Sequence, residues 1–263
     1  LIAIRSAKEL ELLREANRIV AIVLKRVVEA VEPGVSTAEL DEETERLIKE
    51  MGATPSFKGY MGYPRSVCVS IDEQVIHGIP SERKLAEGEI VSIDIGTNYR
   101  GYYGDVAVTV PVGRVSAEKR RLMRAASRAL ELGIKAARAG SCVSDISRAV
   151  QTEVERNGFS VIRQFVGHGI GTSPHEEPQV PNFVTDSAGP KLRAGMVIAI
   201  EPMVSAGSAD VEILADKWTA VTVDGRPAAH FEHTVAITDG DAEILTLVED
   251  PECVVTRDDR LDT

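Results

Sequence analysis

Apolar positions recur at helical spacing through Leu10, Leu13, Val20, Leu24, Val27 and Val31, and the pattern stops at Pro33-Gly34. Directly ahead of it, Ser6-Ala7-Lys8-Glu9 is a capping box: the serine and the glutamate each satisfy a backbone N–H that a helix start leaves unpaired. Ser36-Thr37-Ala38-Glu39 repeats the device and predicts a second helix through Leu40, Leu47 and Met51, closed by Gly52. The period then drops to two. Ser66-Val67-Cys68-Val69-Ser70-Ile71 alternates, and residues 90–96 and 102–110 also predict strands. Pro111-Val112-Gly113 ends this block.

The second half runs the same programme. Residues 116–137 predict a helix broken at Ala139-Gly140, residues 143–157 predict another closed by Gly158, and strands follow at 196–200 and 234–238. One segment repeats almost residue for residue. Lys84-Leu85-Ala86-Glu87-Gly88-Glu89-Ile90-Val91-Ser92-Ile93-Asp94 aligns with Lys191-Leu192-Arg193-Ala194-Gly195-Met196-Val197-Ile198-Ala199-Ile200-Glu201. The pattern predicts an α+β fold of two related halves, about 1–112 and 113–250, within one domain spanning 1–263. The polar tail from 251 onward is expected to fray.

Composition narrows the function classes. With 43% apolar and 27% charged residues the chain is ordinary globular material, and no apolar run approaches a membrane span. Thirty basic against 41 acidic residues leave a net charge of −11, which argues against phosphate-backbone binding and so against nucleic acid as a partner. Cys68, Cys142 and Cys253 form no C-x-x-C, which excludes a cysteine zinc site and suits a reducing compartment. No basic-then-apolar leader is visible, so the expected setting is the cytoplasm. The chain opens on Leu1 rather than Met, so a few preceding residues are expected outside this numbering.

Candidate chemistry begins with Asp94, which ends an otherwise apolar strand, where a carboxylate is costly unless paired or metal-bound. If the hairpin turn is centred between Tyr99 and Arg100, Asp94 and Asp105 lie directly opposite each other on adjacent strands. Either a cation sits between them or they form a solvated hairpin face. Only five histidines occur, and His168 and His175 share the glycine- and proline-rich stretch from Gly167 to Pro178, which predicts a loop that aims imidazoles at a site. Glu201 is the repeat mate of Asp94, and Glu232 adjoins the apolar run Val235-Ala236-Ile237. Four carboxylates and one imidazole favour manganese, iron or cobalt over thiolate-type zinc.

The strings Ser92-Ile93-Asp94-Ile95-Gly96, Gly104-Asp105, Gly167-His168-Gly169-Ile170-Gly171, His175-Glu176-Glu177-Pro178, Ile200-Glu201-Pro202 and Phe231-Glu232-His233-Thr234 resemble the methionine aminopeptidases of the pita-bread fold, in their short type I form. The resemblance runs from about residue 4 to 249. It implies two pseudo-symmetric halves, a curved antiparallel sheet covered by helices, and two divalent ions per chain (Mn, Fe, Co or Zn). It further implies that Asp94 chelates one ion, that His168 and Glu201 hold the other, and that Asp105 and Glu232 bridge them. His77 and His175 would face the scissile amide and its carbonyl oxygen, with Glu201 passing a proton to the leaving amine. Tyr60, Tyr63, Cys68 and Trp218 match the side-chain pocket, although the sequence equally allows Cys68 to be a small buried thiol.

Two departures from the family pattern are Pro174, where several relatives carry a bulky aromatic, and Phe57, where some carry cysteine. The implied substrate is the N-terminus of a nascent polypeptide, with methionine first and a small residue second. The ribosome is a candidate meeting place, and the expected state is a monomer without a membrane partner. X-Pro aminopeptidases and prolidases share the fold but usually carry an extra N-terminal domain. Creatinase-like members and non-catalytic pita-bread binding modules are expected to have lost ligands that this chain retains.

Overall fold

The computed structural model describes residues 2–247, so the expectations for the tail and Cys253 lie outside the described residues. Both capping boxes form as the sequence predicts. Ser6 and Glu9 open α1 (Ala7–Glu29), and Ser36 and Glu39 open α2 (Thr37–Glu50). In the second half Ser116 caps α3 (Ala117–Ala136), and the Asp145 carboxylate accepts from the Cys142 N–H at 2.8 Å to start α4 (Val143–Arg156).

The strands that position the site are β1 (Val67–Ile71), β2 (Ile90–Tyr99), β3 (Tyr102–Pro111), β4 (Gly167–Gly169), β5 (Glu176–Val180), β6 (Val197–Ile200) and β7 (Glu232–Ala236). They form one antiparallel sheet in the order β1-β2-β3-β7-β6-β4-β5, with short strands Thr54–Pro55 and Glu243–Ile244 alongside. The halves meet where β3 pairs with β7, so each half supplies one side of the sheet's middle. The repeat is visible in the hydrogen bonds. Gly34 N donates to Leu85 O (2.8 Å) and Leu85 N to Val35 O (2.8 Å); Gly140 N donates to Leu192 O (2.9 Å) and Leu192 N to Ser141 O (2.8 Å).

Alternation along the strands separates two faces. Val91, Ile93, Ile95, Val106, Val108, Ile198, Ile200 and Val235 turn to the helices and form the main core with Val20, Leu24, Leu122 and Val150. Two small three-stranded sheets complete the structure. One joins Ser160–Val161, Met203–Ser205 and Ala228–His230; the other joins Gln74–Ile76, Val211–Ile213 and Ala220–Thr222. A separate apolar cluster of Val75, Ile76, Ile162, Met203, Val211, Ala220 and Ala228 holds them together.

The hairpin differs from its expected register. Tyr99 pairs with Tyr102, so the turn is Arg100-Gly101, and both residues take positive φ (52° and 84°). A two-residue turn of this kind matches the twist of the strands, and Gly101 adopts positive φ without steric cost, which draws the turn one residue along the chain. Asp94 therefore faces Ala107, and Asp105 faces Gly96, so the aspartates are diagonal neighbours and not directly opposed. The displacement is two positions, which leaves both side chains on one face.

Candidate metal centre and substrate pocket

Register alone brings the five candidate ligands to the face opposite the core. Ala107 pairs with Asp94 on one side and Glu232 on the other, with Asp105 two residues along the same strand. Ala199 pairs with both His168 and Thr234, and Glu201 follows two residues later. Small side chains at Ala107 and Ala199 leave open space beneath the converging carboxylates. His168 lies in a strand and not in the expected loop, because glycine on either side lets the backbones close in. A Cβ at Gly167 would meet the Ala199 carbonyl oxygen, and one at Gly169 the Glu177 carbonyl oxygen. β7 also begins two residues earlier than predicted, which puts Glu232 inside the strand.

The five line one cavity of about 350 Å³ together with His77, His175, Tyr60, Tyr63, Cys68 and Trp218, so all the sequence-predicted site residues converge. Ligand atoms of Asp105, His168 and Glu232 lie within 4.8 Å of one another, and His168 Nε2 is 3.4 Å from Glu201 Oε1. Asp94 Oδ1, Asp105 Oδ1 and Glu232 Oε1 are sealed from solvent and accept no hydrogen bond. No lysine or arginine lines the cavity among the described residues.

Burial pushes the Asp94 carboxyl up to about 7. Burial, and then the neighbouring carboxylates, push Asp105, Glu201 and Glu232 well above the ordinary range. Burial and His175 hold His168 down at about 4, so its imidazole is neutral. Its Nδ1–H donates to Gly169 O at 3.0 Å, which leaves the Nε2 lone pair turned toward a carboxylate oxygen. Two acceptors facing each other inside a ring of unpaired acids is an arrangement that a divalent cation satisfies, and the oxygen-rich donors fit manganese, iron or cobalt.

The histidines outside this cluster sit differently. The His175 ring packs edge-on against His168 with centroids 4.4 Å apart, its Nδ1 lies 3.1 Å from the Tyr60 hydroxyl, and one edge is open at the cavity mouth. Glu176 secures this stretch, accepting from Thr172 N (2.8 Å) and Ser173 N (3.1 Å) and pairing with Arg5. His77 takes a left-handed φ of 59°, the kind of backbone strain found at functional sites. Its ring meets Trp218 and Phe165 edge-on, and burial holds it at about 4. Trp218 packs edge-on against Tyr63 at 5.1 Å, and the Tyr63 hydroxyl lies 3.0 Å from both Val67 O and Gly78 O. Cys68 is buried directly across from Asp94, so it is a buried thiol and a cavity wall at once; burial and then Asp94 push its thiol up and keep it neutral.

Phe57 also lines the cavity, whereas Pro174 is buried and is absent from its lining. The sequence reading missed Met61 and Ile76 in the wall and, above all, His230, which is 2% exposed. The available signal was its spacing of two from Glu232.

The family model of metallopeptidase family M24 matches residues 11–239. Methionine aminopeptidase 1 of Bacillus subtilis (strain 168) is 50% identical over 248 residues, covering 94% of this chain and 100% of its own. The crystal structure of methionine aminopeptidase from Thermotoga maritima matches with a TM-score of 0.92 at 44% identity, covering 94% of this chain and 100% of that one. The structure of methionine aminopeptidase from Rickettsia prowazekii also gives 0.92, at 35% identity, with coverage of 94% and 100%.

Proposed function

The chain belongs to metallopeptidase family M24 and removes N-terminal methionine from polypeptides as a metal-dependent aminopeptidase; on that premise we propose that Asp94, Asp105, His168, Glu201 and Glu232 hold two divalent ions and that His77 and His175 face the substrate. The observation that carries this reading is the convergence of four carboxylates and one neutral imidazole on one sheet face, with three carboxylate oxygens unpaired. In the proposed assignment Asp94 would hold one ion, His168 and Glu201 would hold the other, and Asp105 and Glu232 would contribute to both.

Ions bound there supply a water nucleophile at neutral pH and Lewis-acid pull on the scissile carbonyl. The chain's own residues do the rest. His175, neutral and at the cavity mouth, donates a hydrogen bond to the carbonyl oxygen as negative charge develops on it. Glu201 takes up a proton and passes it toward the leaving amine. His77, held by Phe165 and Trp218, contacts the scissile amide. Tyr60, Tyr63, Cys68 and Trp218 enclose the methionine side chain, whose flexible thioether suits aromatic edges and a thiol wall. In this reading the enzyme is a single-domain monomer that acts on the N-termini of nascent chains in the cytoplasm. The same full ligand set favours an enzyme over a binding module.

The decisive experiment is methionine release from Met-Ala, Met-Leu and Leu-Ala peptides with and without added manganese. Metal-dependent release from Met-Ala, weak release from Met-Leu and none from Leu-Ala are expected. Equal turnover of Leu-Ala would overturn the pocket assignment.

Trp218→Ala removes the aromatic wall that His77 and Tyr63 abut. Losing part of that apolar contact, about 1.4 kcal/mol, corresponds to about a tenfold rise in KM for methionyl peptides. Metal content is expected to stay at the parent value. An unchanged KM would remove Trp218 from the pocket.

A further inference from the structure

His230 is a fully buried imidazole in the wall of the metal cavity, and neither of its ring nitrogens has a hydrogen-bond partner. A neutral imidazole carries one donor and one acceptor, and buried polar groups left unpaired in a native structure need an explanation. An imidazole presents at least one N–H in either protonation state.

Its placement is over-determined by the backbone around it. His230 pairs with Met203, two residues beyond Glu201, and Phe231 N donates to Pro202 O at 3.3 Å. On the other side, His230 N donates to Thr109 Oγ1 at 2.8 Å, and that hydroxyl lies 2.8 Å from both the His230 carbonyl oxygen and Ser92 Oγ. Two strands of the main sheet and the segment leaving Glu201 thus fix the ring against one carboxylate. Its Nε2 is 3.7 Å from Glu201 Oε2, while the other oxygen of the same carboxylate, Oε1, is turned to His168 at 3.4 Å.

We propose that His230 is a positioning residue for Glu201, its Nε2–H holding Oε2 so that Oε1 stays directed at the ion that Glu201 would share with His168. This rests on the metal assignment proposed above. The 3.7 Å separation exceeds a hydrogen bond by about half an ångström, and such bonds often tighten only in the working complex. Oε2 has a second lone pair, which remains free to take up and release the catalytic proton. The arrangement gives the two oxygens of one carboxylate separate duties.

The test compares the parent chain with His230→Gln, His230→Asn and His230→Leu. Glutamine carries an amide N–H close to where Nε2 stands; asparagine places its amide nearer Nδ1, and leucine has none. Each chain is titrated with Mn²⁺ by calorimetry, assayed on a Met-Ala peptide, and melted in excess Mn²⁺ to verify folding. His230→Gln is expected to retain metal affinity and kcat within about threefold of the parent. His230→Leu and His230→Asn are expected to lose about 10- to 100-fold in both, the range for groups that orient metal ligands, with KM and the number of ions bound unchanged.

Parent-like metal affinity and kcat in His230→Leu would overturn the proposal, as would a glutamine variant as impaired as the leucine one. A fall in the number of ions bound would also overturn it, by making His230 a ligand. Failure of the parent chain itself to release methionine with Mn²⁺ would instead count against the functional reading. The calorimetric comparison among variants is independent of turnover.

Discussion

His168→Ala is expected to leave the chain depleted of metal and inactive, whereas His175→Ala keeps its full metal content and loses about 10²–10³ in kcat. Both imidazoles are neutral and their rings touch, so proximity does not separate them. Hydrogen bonding does. His168 spends its Nδ1–H on Gly169 O and presents Nε2 to Glu201 inside the ring of acids. His175 has Nδ1 beside the Tyr60 hydroxyl and one edge at the cavity mouth, where a substrate carbonyl would arrive in the proposed reading. A lost ligand weakens binding at all substrate concentrations; a lost oxyanion donor acts on the transition state alone. Metal stoichiometry measured beside kcat for both variants separates the two roles. A His175→Ala chain that came out metal-depleted like His168→Ala would overturn the division between ligand and substrate-facing histidine.

Metal removal is expected to make stability fall as pH rises through about 7, the folded value of Asp94, and manganese is expected to restore it. Asp94 has a folded-state pKa of about 7 against an ordinary 3.8, and Asp105, Glu201 and Glu232 are also raised. Between the unfolded and folded values the native state holds protons that the unfolded chain has released. That advantage is complete below the unfolded value and is lost as pH climbs through the folded one. The lowered histidines act on the acid side. Unfolded histidines gain charge below about 6.5 while the buried ones stay neutral, so above pH 7 they contribute no slope.

Manganese bound there would replace the protons on these carboxylates, so its stabilising effect is expected to grow with pH. At a hundredfold excess over Kd each ion adds about 2.7 kcal/mol, and two ions raise Tm by roughly 10–20 °C for a chain of this size. Melting curves at pH 6, 7, 8 and 9, with and without Mn²⁺, provide the check. A manganese increment equal at pH 6 and pH 8 would show that the acids are neutralised by something other than an ion.

The sequence by itself determined what depends on neighbours a few residues apart. Capping boxes at Ser6-Glu9 and Ser36-Glu39 are contacts between positions three apart, and they start helices where the pattern says. The alternation of β2 and β3 separates aliphatic from acidic faces before any partner strand is known, and the Lys84 and Lys191 repeats declare the two halves. The five candidate ligands were legible because they stand in strings specific enough to resemble one family.

What only the tertiary structure decided depends on which strands pair and in what register. The choice of Arg100-Gly101 over Tyr99-Arg100 as the turn is a matter of which residues take positive φ, and it set Asp94 opposite Ala107. The strand character of His168 follows from carbonyls of Ala199 and Glu177 closing on its flanking glycines. His230 meets Glu201 because Phe231 and Met203 tie two separate segments together, and Trp218 reaches the cavity from a small sheet packed on another part of the chain. Local propensity carries no information on such contacts: their energy is released only when distant segments close together, and the identities of the partners are fixed by the packing of the whole.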